Sequence, residues 1–397
     1  STVEEIVDKE NIDRLKDAVI NGASVYPGAL SIYLDGDRTN YDGSNQKTMK
    51  EGSLEIREKW ADLMTYGTLV KRHIIKGDIG LFNRAPSLHR QSIMAVTVIP
   101  MDQKNFSFNT TICDPFNADY DGDAMKLHFL QTPEAIEEAK KYMYIDKNII
   151  HASHGKMAIA NDQDQVSGTY LLTHTDLRRR NEWNKSTGLG FTDEGIPYVA
   201  KRIAIEMYSH VFYKDRKSGE KVFLTSLPES DYTSPTGEKC YTGRALFSHL
   251  FTVIDAEYVS AVFTGVTPIT EEKDGEVVIK RVNEKPVYET IEIINGKLIK
   301  GTLEKGAFGT QESSIAPAFF YHEGYEAAYE KLCHFIELAT RLGLAAHRGI
   351  GFSLGLADVS GGKVANKEID KNFIETAKEI QFIQEAYESR QLIQDVA

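Results

Sequence analysis

The sequence predicts an α+β protein, with a β-barrel-like unit in its first third and a mixed region of hairpins and helices behind it. Three observations carry this. Between Val25 and Leu130, short alternating apolar runs are separated by tight turns. Further on, Asp274-Gly275 and Asn295-Gly296 each sit between strand-like runs, as hairpin turns do. Helical spacing of apolar residues returns near 324–346 and again from Asn366.

Taken in order, Ile6, Val7, Ile12, Leu15, Ala18 and Val19 predict one or two short helices between Val3 and Asn21, with Gly22 as the stop. Strands are expected at Ser31–Leu34, Thr68–Val70, His73–Ile75, Ala95–Ile99, Phe106–Ile112 and Met125–Leu130. A helix over 133–144 comes next, with Thr132 as N-cap, Pro133 in the first helical position and Glu134, Glu137 and Glu138 in the first turns. Residues 175–240 are polar and glycine-rich and read as a variable insert around a helix near 197–212. After the hairpins come a helix from Gly324 to Ala346, a Gly/Ser-rich loop from Gly349 to Gly362, and a last helix. That helix places Ile369, Phe373, Ala377, Ile380 and Gln384 on one face, with Ile374 and Ile383 beside it.

The chain has 397 residues, enough for two or three packed units. It is 41% hydrophobic and 26% charged, as soluble globular proteins are. No run approaches the ~18 apolar residues of a membrane span, and no basic-then-apolar leader opens the sequence, so membrane and secretory classes are not expected. Cys113, Cys240 and Cys333 are too scattered for a zinc site or a disulfide framework, which fits a reducing compartment. A net charge of −12 argues against this chain alone wrapping nucleic acid by bulk electrostatics.

The chemistry concentrates in Asn117-Ala118-Asp119-Tyr120-Asp121-Gly122-Asp123, with three carboxylates at alternate positions. Unit charges a few Å apart interact by about 4 kcal/mol at an effective dielectric near 20, so such a cluster calls for a cation. A hard, oxygen-loving ion such as Mg²⁺ suits it. The calcium-loop reading fails twice: counted from Asp119, position 6 is Ala124 rather than Gly, and position 12 is Leu130 rather than Glu. A solvated acidic turn is the other ordinary reading. The strand-like flanks, which would pin the loop rigidly, weigh against it. Side chains at i, i+2 and i+4 of a regular strand spread by about 6–7 Å each, so the loop must curl, and Gly122 permits that. Asp35-Gly36-Asp37 repeats the triplet but has Tyr33 where a third acid is needed, and reads as a hairpin turn.

The heptad resembles the metal loop of the largest (β′-type) subunit of multisubunit DNA-dependent RNA polymerases. That family carries Asn-Ala-Asp-Phe-Asp-Gly-Asp, and Tyr120 for Phe is the one departure. Asn83-Arg84-Ala85-Pro86-Ser87-Leu88-His89-Arg90 resembles the family's stretch upstream of that loop. The segments Asn11–Leu15, Asn21-Gly22 and Tyr26-Pro27-Gly28-Ala29 are similar to its eukaryotic and archaeal lead-in. Gln163-Asp164 with Gly168, Thr242-Gly243-Arg244, Ile294-Asn295-Gly296 and Gly351-Phe352-Ser353-Leu354-Gly355 come after it in the family's order. The likeness is weakest over 178–240.

The resemblance implies a double-psi β-barrel carrying the metal loop, followed by a mixed α/β pore and a helical funnel region. The corresponding organisation is a helical lead-in (1–21), the barrel (22–132), a helical or irregular region with a variable insert (133–240), the pore region (241–362) and the start of the funnel helices (363–397). It implies that Asp119, Asp121 and Asp123 hold the catalytic Mg²⁺ and that Arg84 and Asn117 read the ribose of the incoming NTP, both being able to bond a 2′-OH. Nucleotidyl transfer to the RNA 3′-OH uses two metals about 3.5–4 Å apart, the second arriving with the NTP. The expected partners are a β-type chain with the second barrel, the remaining β′ fragments, the DNA template, the RNA product and NTPs. The family's clamp, bridge helix and trigger loop find no counterpart here. The chain therefore resembles the middle catalytic fragment of a split subunit, expected from a large bacteriophage, in the cytoplasm of the infected host or packaged in a virion. A non-catalytic scaffold or decoy fragment is the competing expectation.

Around the site, His89 is expected to be packed and hydrogen-bonded rather than catalytic. Lys71, Arg72 and Arg90 are candidates for template or hybrid contacts, against the plainer reading of solvated charges. Asp162 and Asp164 are expected to support the barrel, and Arg348 either to meet triphosphate oxygens or to neutralise a helix C-terminus.

Overall fold

The computed structural model describes residues 2–34, 46–50, 52–215, 218–273, 275–283, 285–309, 315–353, 355 and 363–388. It divides into two units, Ser1–Ile350 and Gly351–Ala397.

The first unit opens with strand β1 (Thr2–Ile6), not with a helix. Three of its five residues are β-branched, and Val3 and the following Val7 are buried. The spacing from Ile6 onward mimics a helical stripe until a partner strand is present. Helix α1 (Ile12–Asn21) buries Leu15, Ala18 and Val19 and ends at Gly22, whose φ of 74° suits the stop read from the sequence. Strands β2 (Ala29–Tyr33) and β3 (Gln46–Thr48), helix α2 (Leu54–Asp62) and strand β4 (Leu69–His73) complete the layer. The antiparallel sheet runs β1-β4-β2-β3 and covers a small core of Val7, Leu15, Val19, Ile32 and Val70. The two runs expected at Thr68–Val70 and His73–Ile75 are largely one strand, β4. Asp35-Gly36-Asp37 lies outside the described residues.

Strands β5 (Ile79–Asn83), β6 (Ile93–Thr97) and β7 (Lys126–Phe129) form a second antiparallel sheet, ordered β6-β5-β7. Its core is not that of the first sheet. Phe82, Met94, Ile112 and Phe116 join one apolar cluster with Tyr208, Phe247, Phe335 and Leu342. The expected unit 22–132 is therefore shared between two cores, and its strands pair as two separate sheets rather than one closed ladder among the described residues. The loop-bearing sheet shares its core with residues from the second half of the chain.

Phe106–Ile112 is not a strand. Asn109 accepts the Thr111 N–H at 3.1 Å and starts a 3₁₀ turn (Thr110–Ile112) that runs into helix α3 (Cys113–Phe116). The apolar alternation there records ring packing, with Phe106 and Phe108 both edge-on to Phe82 at 5.3 Å. Helix α4 (Pro133–Glu138) has the expected cap, Thr132 Oγ1 accepting the Ala135 N–H at 3.3 Å, and continues as a π-helical turn, Ala139–Met143.

Helix α5 (Asp164–Thr173) is followed by the strands Trp183–Asn184, Leu189–Phe191, Pro197–Ala200, Tyr232–Thr233 and Lys239–Thr242, which make one five-stranded antiparallel sheet. The stretch 175–240, expected as a variable insert around a helix, thus holds a paired sheet, whose last strand runs on past residue 240. Short strands joined by glycine turns look like loop when pairing is not counted. Helix α6 (Lys201–Ser209) lies between those strands, and Thr242 caps α7 (Gly243–Val253) by accepting the Ala245 N–H at 3.2 Å. The Asn295-Gly296 turn, with φ of 49° and 70°, joins Tyr288–Ile294 to Lys297–Lys300 as expected. Asp274 of the other turn lies outside the described residues, though Thr270–Lys273 and Glu276–Ile279 do pair. The helix expected from Gly324 is α8 (Tyr325–Ile350), which buries Leu332, Phe335, Leu338 and Leu342. Most of the Gly/Ser-rich loop, including Leu354, lies outside the described residues. In the second unit, helix α9 (Lys363–Glu388) leaves Ile369, Phe373, Ile380 and Ile383 exposed.

Candidate metal centre

The acidic heptad forms the turn between α3 and β7. Asn117 ends α3 in the left-handed conformation, φ 46° and ψ 46°, which an Asn tolerates better than most residues. Gly122 has φ of 126°, where a side chain would be strained, within a bend over residues 120–122. The result is convergence: one ligand oxygen from each of Asp119, Asp121 and Asp123 lies within 4.8 Å of the others.

Two contacts tie this turn to its surroundings. Arg84, just after β5, forks onto Asp123, Nε to Oδ2 at 2.8 Å and Nη2 to Oδ1 at 3.0 Å. Tyr120 donates its hydroxyl to the Phe108 carbonyl at 3.0 Å and lays its ring against Phe108, with centroids 5.4 Å apart. Within the turn, the Asp119 N–H donates to Asp123 Oδ2 at 3.1 Å.

The electrostatics are uneven. The Arg84 guanidinium, with help from the Asp119 N–H, holds the Asp123 carboxyl below the usual carboxylate range. Asp121 has no such partner. Hydrogen bonding with Asp119 and then its charge push the Asp121 carboxyl up. The site thus carries more negative charge than its own residues neutralise. An all-oxygen donor set with this imbalance suits a hard divalent cation.

Sequence reasoning brings Asp119, Asp121, Asp123, Arg84 and Asn117 to one place, Arg84 through its bond to Asp123 and Asn117 at the head of the turn. The expectations for Arg72 and His89 are corrected. Arg72 is 5% exposed and pairs with Glu5 and, at 2.8 Å through two nitrogens, with Asp78; it is a strut between strands, not a contact for a template. Lys71 is half-buried and Arg90 is exposed. His89 is exposed rather than packed, edge-on to His151 at 5.5 Å. Asp162 pairs with Lys305 at 3.1 Å, and Asp164 lies 4.0 Å from His347 on α8. Arg348 sits in the last turn of α8 and approaches Glu206 at 3.5 Å and His210 at 3.0 Å. The residue that braces the approach to the turn is Gln165, which sequence reasoning misses. Buried on α5, it donates from Nε2 to Asn109 Oδ1 at 3.1 Å and to Thr110 Oγ1 at 2.6 Å. A Gln beside Gln163-Asp164 is the one signal that points to it.

The chain belongs to the family of largest subunits of multisubunit RNA polymerases. Residues 1–145 match RNA polymerase Rpb1, domain 2, and residues 148–359 match RNA polymerase Rpb1, domain 3. Among its relatives, the DNA-directed RNA polymerase subunit Rpo1N of Halobacterium salinarum is 30% identical over 387 residues, 98% of this chain and 33% of that protein. The Rpo1N subunit of Thermococcus celer is 30% identical over 404 residues, again 98% of this chain and 39% of that protein. The human DNA-directed RNA polymerase III subunit RPC1 is 32% identical over 363 residues, 91% of this chain and 23% of that protein. The chain therefore spans 23–39% of the length of these relatives. They are archaeal and human; the bacteriophage source and infected-host setting stay expectations. Among the described residues, no helix is long and apolar enough to cross a membrane.

Proposed function

We propose that this chain supplies the metal-binding half of the active centre of a DNA-directed RNA polymerase. The observation that carries the reading is the convergence of three carboxylates within 4.8 Å on a turn to which Arg84 is bonded. Asp119, Asp121 and Asp123 would hold Mg²⁺, which when bound would lower the pKa of the RNA 3′-OH and neutralise charge developing on the NTP phosphates. The chain's own residues bind and orient. Asp119 and Asp121, which are not paired with Arg84, would present their carboxylates to the cation. Arg84 and Asn117 would face the NTP ribose, where donors able to bond the 2′-OH separate ribonucleotides from deoxyribonucleotides.

The two sheets of the first 130 residues would be parts of a double-psi barrel, and the helices beyond them pore and funnel. Among the described residues no second acidic triad is present. A β-type chain with a second barrel, further β′ fragments, template DNA and product RNA complete the assembly. In that assembly, Asp121→Ala is expected to abolish RNA synthesis while the complex stays intact by size-exclusion chromatography. Synthesis near the wild-type rate from intact Asp121→Ala complex would refute the assignment.

A further inference from the structure

Asp123 is already engaged by cationic charge from its own chain. Both of its oxygens accept from Arg84, and Oδ2 also accepts the Asp119 N–H. The ion pair is not a loose surface contact: the Arg84 and Asp123 side chains are 20% and 21% exposed. A forked guanidinium–carboxylate pair fixes both partners in one plane and is among the stronger polar contacts a protein makes. Two cations cannot both have full use of one carboxylate, and a hard divalent ion wants oxygens that are free to turn toward it. Asp119 and Asp121 are not forked in this way; they crowd each other instead.

We propose that Arg84 is an internal counter-cation of the metal loop, which a divalent cation must displace from at least one oxygen of Asp123, so that metal binding releases the guanidinium toward a ligand hydroxyl. The inference rests on the metal-loop reading above and adds a coupling to it. Whatever the released Arg84 binds, a nucleotide ribose in that reading, tightens the metal, and by linkage the metal tightens it by the same factor. The same bonds admit an opposite role, in which Arg84 merely presents Asp123 to the metal. The two roles differ in sign. Removing a competitor tightens metal binding, whereas removing a brace weakens it.

The test is Mn²⁺ binding to the purified full chain, followed by loss of the free-ion paramagnetic signal and confirmed by Mg²⁺ competition. Arg84→Gln is expected to bind Mn²⁺ more tightly than wild type, by about fivefold or more, the lower end of ordinary coupling between sites. Arg84→Lys keeps the charge but cannot fork, so it should also tighten binding, by less; this separates displacement from long-range repulsion. Weaker or unchanged binding in both Arg84 variants would overturn the proposal. Asp121→Asn distinguishes the layers. If it weakens Mn²⁺ binding and the Arg84 variants do not tighten it, only the coupling fails. If Asp121→Asn binds as wild type does, the metal-loop reading itself fails and the coupling with it.

Discussion

Replacing Gly168 by alanine should destabilise the Ser1–Ile350 unit, the reverse of what alanine does in an uncrowded helix. Gly168 lies on α5 against α8. A Cβ placed there would meet the Gly343 carbonyl oxygen at 1.8 Å, its carbon at 2.7 Å and the His347 amide nitrogen at 2.9 Å. The approach is reciprocal, since a Cβ on Gly343 would meet the Gln165 carbonyl oxygen at 2.2 Å. Restoring an ordinary 3.4 Å contact requires the two backbones to part by 1.6 Å along that line (3.4 − 1.8). Every obstacle is main chain, so no side chain can swing aside. Overpacking costs about 1–3 kcal/mol, and this case belongs at the top of that range. The gain in helix propensity offsets about 1 kcal/mol, leaving a net loss of about 2 kcal/mol. At roughly 2 cal/mol/K per residue, a unit of this length unfolds with about 0.7 kcal/mol/K, so the midpoint should fall by about 3 °C. Differential scanning calorimetry of the full chain measures it. A midpoint at or above the wild-type value would refute the packing argument. Because α5 also carries Gln165, the same variant should loosen the Asn109–Thr110 approach to the acidic turn.

Two further outcomes depend on single side chains. Burial holds the His174 imidazole below its ordinary value of 6.5, with His249 and His151 shifted the same way. The unfolded chain takes these protons more readily. Native stability is therefore fully present above about pH 6.5 and declines as pH falls through the depressed native values. In denaturant titrations between about pH 7.5 and 5, His174→Gln should show a shallower loss on the acid side, and an unchanged slope would contradict this. Tyr120→Phe removes the bond to Phe108 from a side chain that is 55% exposed. It should cost about 0.5–1 kcal/mol and leave Mn²⁺ affinity within about threefold of wild type. A loss beyond tenfold would mean that the hydroxyl itself shapes the carboxylates.

The features legible in the sequence are those that neighbouring residues decide among themselves. The Thr132 cap, the Asn295-Gly296 turn, the stop at Gly22 and the three-acid turn with its glycine all depend on chemistry within a few residues. The illegible ones depend on partners far along the chain. Thr2–Ile6 is a strand because β4, 67 residues on, pairs with it, Glu5 meeting Val70 and Arg72. Phe106 and Phe108 alternate because Phe82 offers a ring between them, and a period of two is the same whether a strand or an aromatic cluster makes it. Arg72 resembles a free cation in the sequence because one partner, Glu5, is 67 residues away, and the other, Asp78, is six residues on across a turn that the local pattern does not show to close. Gln165 is invisible there as a brace because Asn109 lies 56 residues before it.

The acidic turn itself has almost no regular structure, yet its shape is supported from several directions. Asn117 and Gly122 bend the backbone, Tyr120 hangs it from the Phe108 carbonyl, and Gln165 steadies the segment that leads in. Only Arg84 supports the shape and alters the charge together, because it is the sole cation bonded to the triad among the described residues. Substitutions in this region therefore fall into distinguishable kinds. Asp121→Asn changes charge at nearly constant shape, and Tyr120→Phe or Gly168→Ala changes support at constant charge. Arg84 alone couples the two, which is why the sign of its effect on metal binding carries more information than the loss of any single carboxylate.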